Sequence, residues 1–566
     1  MQPVISSAQM RDIDRLTSER YGIPSATLME NAAAAVVRCV STLLHGDVTD
    51  KSIVVFCGKG NNGGDGAAAA RLLATSGARV DVILIGRVDE TKGDARENFD
   101  RLRAWNDERA LQEVKTSAAS TGSLNLFECE SEKGWKQLLA GILSSPHDAI
   151  VDALFGTGLT RPVEGIHARA IEYIRDLRHR DSNSTSSAIV VSVDMPSGLN
   201  SDSNEIIGET VPADATVTMT APKLANVLPP ASNYNGQVVV APIGSPRELI
   251  ESKTDLFLID EDDARRWLIE TRYAPDSYKN SHGHALIVAG SPGFTGAAAL
   301  CANAAIRAGA GLVTVATPTS SQPLVAAHVM PEVMTTALAE TDQGTISVDA
   351  LYYFSSFAER ADVVAIGPGL SSDKPQTPAF VRRIVQDRAT TIVVDADGLN
   401  SLSPWPHSLR GSEELPIVLT PHPGEMLRLI GSSDKSALDD RVAVARAFAT
   451  ENRVILVLKG TRALVAAPDG RVFVNSTGNA GLGTAGAGDT LTGVITGFLA
   501  QAAAYKPRAN RNRVTPLETV IAALFVSGLA GDFAAREIGM RCMVASDIRE
   551  HLSAAIRSLD PAGEKP

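Results

Sequence analysis

Short apolar runs rich in Val, Ile and Leu recur along this chain, and each empties at once into glycine, proline or polar residues. SIVVFCG (52–58), RVDVILIG (79–86), DAIVDALFG (148–156) and AIVVSVDMPSGLN (188–200) share the pattern in the first half. HGHALIVAGS (282–291), ADVVAIGPGL (361–370), TIVVDADGLN (391–400), PIVLTPHPGE (416–425) and RVILVLKG (453–460) repeat it in the second. Runs this short and this continuously apolar read as strands buried on both faces, the habit of parallel sheets. Parallel neighbours need crossovers, and helix-compatible stretches such as AAAARLLATSGA and AAALCANAAIRAGAG stand between the runs. The expected class is α/β, with helices covering mainly parallel sheets.

A chain of 566 residues is too long for one core. Residues 245–280 read as a polar connection, which places the boundary near 250 and gives domains 1–250 and 251–566. The first is expected to be a three-layer, Rossmann-like α/β/α domain with further strands at ATVTM (215–219) and GQVVVAPIG (236–244). The second is a larger α/β domain in which ALVAAPDGRVFVN forms a hairpin turning at Asp469-Gly470. Residues 107–147 are polar and irregular and read as variable helices and a loop. A net charge of −12 and 5% aromatics argue against a nucleic-acid surface. Five scattered cysteines without CxxC spacing read as reduced thiols. MQPVISSAQMRDIDR has no signal pattern, and no apolar run approaches the ~18 residues of a membrane span. A soluble cytoplasmic protein, with neither membrane nor nucleic acid as partner, is expected.

Ligands of open α/β sheets sit beyond the carboxyl ends of the strands. In the first half that rule singles out Asn61, Asn62 and Asp65, then Asp152 with Gly156 to Pro162, then Asp194 and Ser197. Gly58-x-Gly60-x-x-Gly63 is a literal GxGxxG, but the dinucleotide fingerprint wants an acidic residue about 20 positions on, where Ile85, Gly86 and Arg87 stand. In the second half, NSTGNAGLGTAGAGDTLTGVITGFLA runs from a glycine-dense loop into a helix. N–H groups of Gly486, Ala487 and Gly488 can form an anion-binding nest. Asp489 then reads either as a helix cap or as a base beside a bound phosphate. Lys459 is either a surface lysine at a strand end or a counter-charge to phosphate. His422 can donate to an amide or a phosphate. Glu425 reads as a cap or as a water-mediated aid to Mg²⁺, and Asp395 and Asp397 as turn-formers.

Taken together, GNNGGDG, DALFGTGL, VDMPSGL, HGHALIVAGSPGFTGAA, AIGPGL, DADGLN, LTPHPGE, LKGTRALV and GAGDTLTG stand in the order seen in one family. The chain resembles the bifunctional nicotinamide-nucleotide repair enzymes, in which an NAD(P)H-hydrate epimerase is fused to an ADP-dependent (S)-NAD(P)H-hydrate dehydratase. The resemblance spans about residues 1 to 555. It implies a ribokinase-like second domain, and substrates that are hydrated NADH and NADPH together with ADP as co-substrate. For the epimerase it implies substrate contacts from Asn61, Asn62, Gly63, Gly64 and Asp65, from Gly156, Thr157, Gly158, Leu159, Thr160, Arg161 and Pro162, and from Asp194. It also implies K⁺ held by Asn62, Asp152 and Ser197. Asp152 and Asp194 are both candidates for the epimerase acid/base, and the sequence does not choose between them. For the dehydratase it implies that Ala298, Gly369, His422 and Asp489 contact the hydrate. Lys459, Gly460, Thr461, Arg462, Ala463 and Gly488 would hold the nucleotide, with Mg²⁺ and with Asp489 as base. A homo-oligomer is expected. The competing expectation is a vitamin-type small-molecule kinase of ribokinase-like fold, fused to a nucleotide-binding domain.

Overall fold

A computed structural model describes residues 1–116, 122–180, 188–252, 254–505 and 514–561. The chain divides into two units, one of Pro3–Thr254 and one of Met1–Gln2 with Asp255–Pro566. After the short β1 (Gln2–Pro3), the first unit opens with two helices, α1 (Ser7–Tyr21) and α2 (Ser25–Leu43). Gly22 closes α1 in the left-handed conformation, and Pro24 leads into α2.

Seven strands follow in this unit: β2 (Ser52–Cys57), β3 (Arg79–Ile85), β4 (Ser123–Cys129), β5 (Ala149–Ala153), β6 (Ile189–Val193), β7 (Ala215–Met219) and β8 (Gln237–Ala241). They form one parallel sheet in the order β4-β3-β2-β5-β6-β7-β8. Alternate residues of β2 feed opposite cores. Ile53, Val55 and Cys57 join helices α1, α2 and α3 (Asn61–Thr75), with Phe99 and Leu102 of α4 (Gly93–Thr116). Val54 and Phe56 join Trp135 of α5 (Glu132–Ala140) and Ile171 and Ile174 of α6 (Gly165–Arg180). The unit is therefore a three-layer α/β/α sandwich. Strand β4 lies in the stretch expected to hold only helices and a loop. It is an edge strand with an irregular mixture of buried and exposed positions, so it lacks the apolar run that marks its neighbours.

The second unit holds β9 (Leu256–Leu258), β10 (His284–Val288), β11 (Leu312–Pro318), β12 (Met334–Leu338), β13 (Val363–Ile366), β14 (Thr391–Val394), β15 (Ile417–Leu419), β16 (Ile455–Leu458), β17 (Leu464–Ala466) and β18 (Val472–Val474). The sheet order is β1-β9-β18-β17-β16-β15-β14-β13-β10-β11-β12. Strands from β12 through β16 pair in parallel, and β16, β17 and β18 pair antiparallel, with the turn carried by Gly470. The helices Thr295–Arg307 and Ala487–Ala504 pack closely because Gly493 and Gly497 lie against the backbone oxygens of Cys301 and Ala305. Trp267 stacks on Phe498 beneath them, with ring centroids 4.2 Å apart. The helix Pro516–Ile538 is long and apolar enough to cross a membrane, but 72% of its apolar window is buried in this core. Strands β9 and β12 went unrecognised in the sequence because one has three residues and the other, at the sheet edge, is mostly half-exposed.

Candidate active sites

In the first unit the sheet order reverses between β2 and β5, and Gly58 N bonds Ala153 O (3.0 Å) where the two strands end. Helix α3 begins at Asn61, inside GNNGGDG and not after it. Asn61, Asn62 and Gly63 therefore supply the unpaired N–H groups of a helix N-terminus. Glycine at position 63 answers to packing, since a Cβ there would stand 1.8 Å from Gly58 O. Asn62 faces Gly156, where an added Cβ would lie 3.2 Å from Asn62 Oδ1, and its buried Nδ2 has no hydrogen-bond partner.

Asp152 is fully buried at the end of β5. It accepts hydrogen bonds from Ser197 Oγ (2.6 Å), Ser197 N (2.8 Å), Ser192 Oγ (2.9 Å) and Leu154 N (3.4 Å). Burial pushes its pKa up against the pull of these donors. Asn62, Asp152 and Ser197 thus offer carboxamide, carboxylate and hydroxyl oxygens with a single formal charge. That donor set suits a hard monovalent cation such as K⁺. Beyond β5, Thr157 O accepts from Ser201 Oγ (3.2 Å), and Pro162 lies against Gly208. Leu159 is half-buried, while Gly158, Thr160 and Arg161 are exposed.

Asp194 follows β6 with a left-handed backbone (φ +64°). Its Oδ1 accepts from Lys223 Nζ (2.6 Å), Thr218 Oγ1 (3.3 Å) and Met219 N (3.3 Å). Lys223 is completely buried, and its ammonium spends its other protons on Thr218 Oγ1 and Met219 O (3.0 Å each). Asp65 feels the charges of Asp194, Asp14 and Asp94, and burial with these carboxylates holds its pKa well above the usual range. Asp14 and Lys223 belong to this group although nothing in the sequence singled them out. Asp14 sits in a helix-like opening stretch with no motif around it, and Lys223 lies in APKLANV, which carries no recognisable spacing.

In the second unit the loops after β10, β13, β14, β15 and β16 share one sheet edge, with the order reversing between β10 and β13. Asp395, at the end of β14, is buried. It accepts from Lys459 Nζ (2.8 Å) and Thr492 Oγ1 (2.7 Å). It is a partner for Lys459 and not merely a turn-former, and Lys459 is not a surface lysine. Burial works against the Lys459 charge, but Asp395 and Glu425 outweigh it and raise its pKa. Gly488 sits directly above, since a Cβ on it would lie 3.2 Å from Lys459 Nζ.

The residue capping Ala487–Ala504 is Gly486, in the left-handed region (φ +84°), so Asp489 is left free of capping duty in the first turn. Burial, with Asp395 nearby and Lys459 opposing, pushes the Asp489 carboxyl up to about 6. His422 caps its own helix: Nδ1 accepts from Gly424 N (3.0 Å) and Glu425 N (3.4 Å). This arrangement leaves Nε2 as the proton-bearing nitrogen. Burial and the cations Lys459 and Arg428 hold the His422 pKa below its ordinary value, so the ring is a neutral donor at pH 7. Glu425 closes the same capping box by accepting from His422 N (2.8 Å).

Arg441 Nη1 bonds Thr461 O (2.9 Å), while Arg462 Nη1 reaches Ser476 O (2.5 Å) and Ala463 O accepts from Asn475 N (2.8 Å). These bonds fix the stretch from Lys459 through Gly460 to Ala463. Gly369 (φ +65°) accepts from Ser291 Oγ (2.8 Å) and lies against Phe294. Ala298 is fully buried against Gly290, so its methyl faces the core. Among the described residues, no group of three or more His, Cys, Asp or Glu is placed to hold a metal ion. Mg²⁺ in this unit would therefore be carried by nucleotide phosphates with at most one or two of these carboxylates, as Mg²⁺ commonly is.

Two family models match the chain: one described as YjeF-related protein N-terminus over residues 25–225, the other as NAD(P)H-hydrate dehydratase over residues 285–554. A bifunctional NAD(P)H-hydrate repair enzyme of Moorella thermoacetica is 39% identical, covering 98% of this chain and 97% of the relative. Enzymes of the same name from Thermofilum pendens and Salinibacter ruber are 35% and 38% identical, covering 98% and 96% of this chain and 96% and 94% of those relatives. Among solved structures, an ADP/ATP-dependent NAD(P)H-hydrate dehydratase from Bacillus subtilis co-crystallised with ATP and Mg²⁺ is 27% identical. It covers 54% of this chain and 99% of that one, at a TM-score of 0.45. With relatives this similar along nearly its whole length, the chain belongs to the family of bifunctional NAD(P)H-hydrate repair enzymes.

Proposed function

We propose that residues 1–250 interconvert the R and S hydrates of NADH and NADPH, and that residues 251–566 dehydrate the S form at the expense of ADP, releasing AMP and phosphate. The observation that supports the second step best is Asp489 in the first turn of the helix Ala487–Ala504, its carboxyl pushed up to about 6 beside the Lys459–Asp395 pair. Hydroxide is a poor leaving group and phosphate a good one. Asp489 takes the proton of the hydrate's hydroxyl as that oxygen receives the terminal phosphoryl group. N–H groups at the start of that helix, with Gly488, receive the phosphate, and Lys459 beneath them offsets its charge. His422 donates from Nε2 to the bound hydrate. The phosphate ester then eliminates, restoring the dihydronicotinamide ring. Mg²⁺, when bound, spreads charge on the phosphates.

In the first unit, the N-terminus of α3 and the Gly156–Pro162 loop bind the hydrate's phosphates and ribose. Asn62, Asp152 and Ser197 hold K⁺, which supplies a fixed positive charge beside them. Five free cysteines accord with a cytoplasmic setting. Asp489→Asn should remove ADP-dependent recovery of the dihydronicotinamide absorbance while R/S interconversion continues. Recovery at the unaltered rate in that variant would sink the assignment of Asp489.

A further inference from the structure

The epimerase reaction needs one group that can both give a proton to the departing hydroxyl and take one back from the returning water, and the neighbours of each carboxylate decide which is available. Asp152 is enclosed by four donors from its own chain. Asp194 is already engaged as the ion-pair partner of Lys223, whose ammonium is fully buried and spends all three protons on Asp194 Oδ1, Thr218 Oγ1 and Met219 O. Asp14 is different. It projects from α1, and its Oδ1 is buried without a hydrogen-bond partner. On its own helix, the neighbouring Asp12 is paired with Arg15 (3.0 Å).

Resting on the reading that the first unit is the epimerase, we propose that Asp14 is the proton-transferring residue of R/S interconversion, with the Asp194–Lys223 pair positioned as its fixed electrostatic partner. Two opposed charges face Asp14 from the β6 and β7 ends: Lys223 favours its carboxylate and Asp194 its acid form. Burial tips the balance and places its pKa at about 6, so both forms are accessible near neutrality. Asp65, buried beside Asp194, Asp14 and Asp94, is held above the usual carboxylate range by burial and by those charges.

Water added across an enamine leaves its hydroxyl on the carbon beside the ring nitrogen. The Asp14 carboxylic acid protonates that hydroxyl, the C–O bond breaks, and the nitrogen lone pair closes a C=N⁺ bond, releasing water. Water then adds to the opposite face, the electron pair returns to nitrogen, and the proton returns to the Asp14 carboxylate. No oxidant or further reactant is consumed.

The test uses full-length protein, pure R hydrate and ADP, following the dihydronicotinamide absorbance as R is converted and dehydrated. Asp14→Asn should slow consumption of R by about 100-fold or more. Dehydration of the S hydrate and the KM for R should stay unchanged, and the thermal midpoint of the first unit should not fall. With added S-specific dehydratase in excess, so that interconversion limits the rate, the wild-type rate should bend near pH 6, a limb that Asp14→Asn lacks and Asp14→Glu restores. Interconversion by Asp14→Asn within about threefold of wild type, or a pH 6 limb persisting in it, would overturn the proposal. If Asp14→Asn misfolds, Asp14→Glu decides: a carboxylate that restores neither rate nor limb also overturns it. A wild-type protein that leaves R untouched would instead overturn the underlying assignment of the epimerase.

Discussion

Asp489 carries a charge that its surroundings oppose, and this makes its chemistry measurable as stability. An exposed or unfolded Asp titrates near 4, whereas here the carboxyl is pushed up to about 6. Below about pH 4 both folded and unfolded states are protonated, and the residue costs nothing. As pH rises from 4 to 6 the unfolded chain releases its proton first, so stability falls. By pH 7 the cost has reached its full value, about 1–3 kcal/mol. Asp489→Asn should therefore raise the denaturant midpoint of the second unit at pH 7 while removing activity, and the gain should fade below pH 4. An equal midpoint at pH 7 would contradict the buried-charge account. The roles of Lys459 and Asp395 were only half legible: each stood at a strand end in the sequence, but only the fold brings together residues 64 positions apart. Lys223 and Asp14 were illegible for a related reason, since a buried charge is recognised by its partner and the partner lies on another element.

At the scale of elements, strands flanked by glycine and polar residues were legible wherever both faces are buried. The missed strands β4, β9 and β12 are short or lie at an edge, where one face meets solvent and the apolar signature dissolves. In the sequence the glycine-dense loop reads as an anion-binding nest, yet several glycines serve contact between elements. A Cβ on Gly493 would stand 2.1 Å from Cys301 O, wedging apart the helices Ala487–Ala504 and Thr295–Arg307. Gly493→Val should cost on the order of 3 kcal/mol in chemical denaturation of the second unit. At Gly483 a Cβ would meet nothing within 4 Å, and Gly483→Ala should be near neutral. Equal effects at the two positions would refute the close-packing explanation.

Across the whole molecule, two separate sheets each reverse their strand order once among parallel strands, and each gathers its motif residues at that edge. The chain bears a net charge of −12, so anionic substrates are not drawn in by the overall field. Under the proposed function, attraction is local, from the helix N-termini at Asn61 and Ala487 and from Lys459. The pairing of two activities in one chain is the central claim, and one measurement bears on it directly: supply a mixture of R and S hydrates with K⁺ and Mg²⁺, with and without ADP, and follow the dihydronicotinamide absorbance to completion. The account predicts no recovery without ADP and complete recovery of both isomers with it. Recovery that halts once the S isomer is exhausted, or that proceeds without ADP, would contradict it.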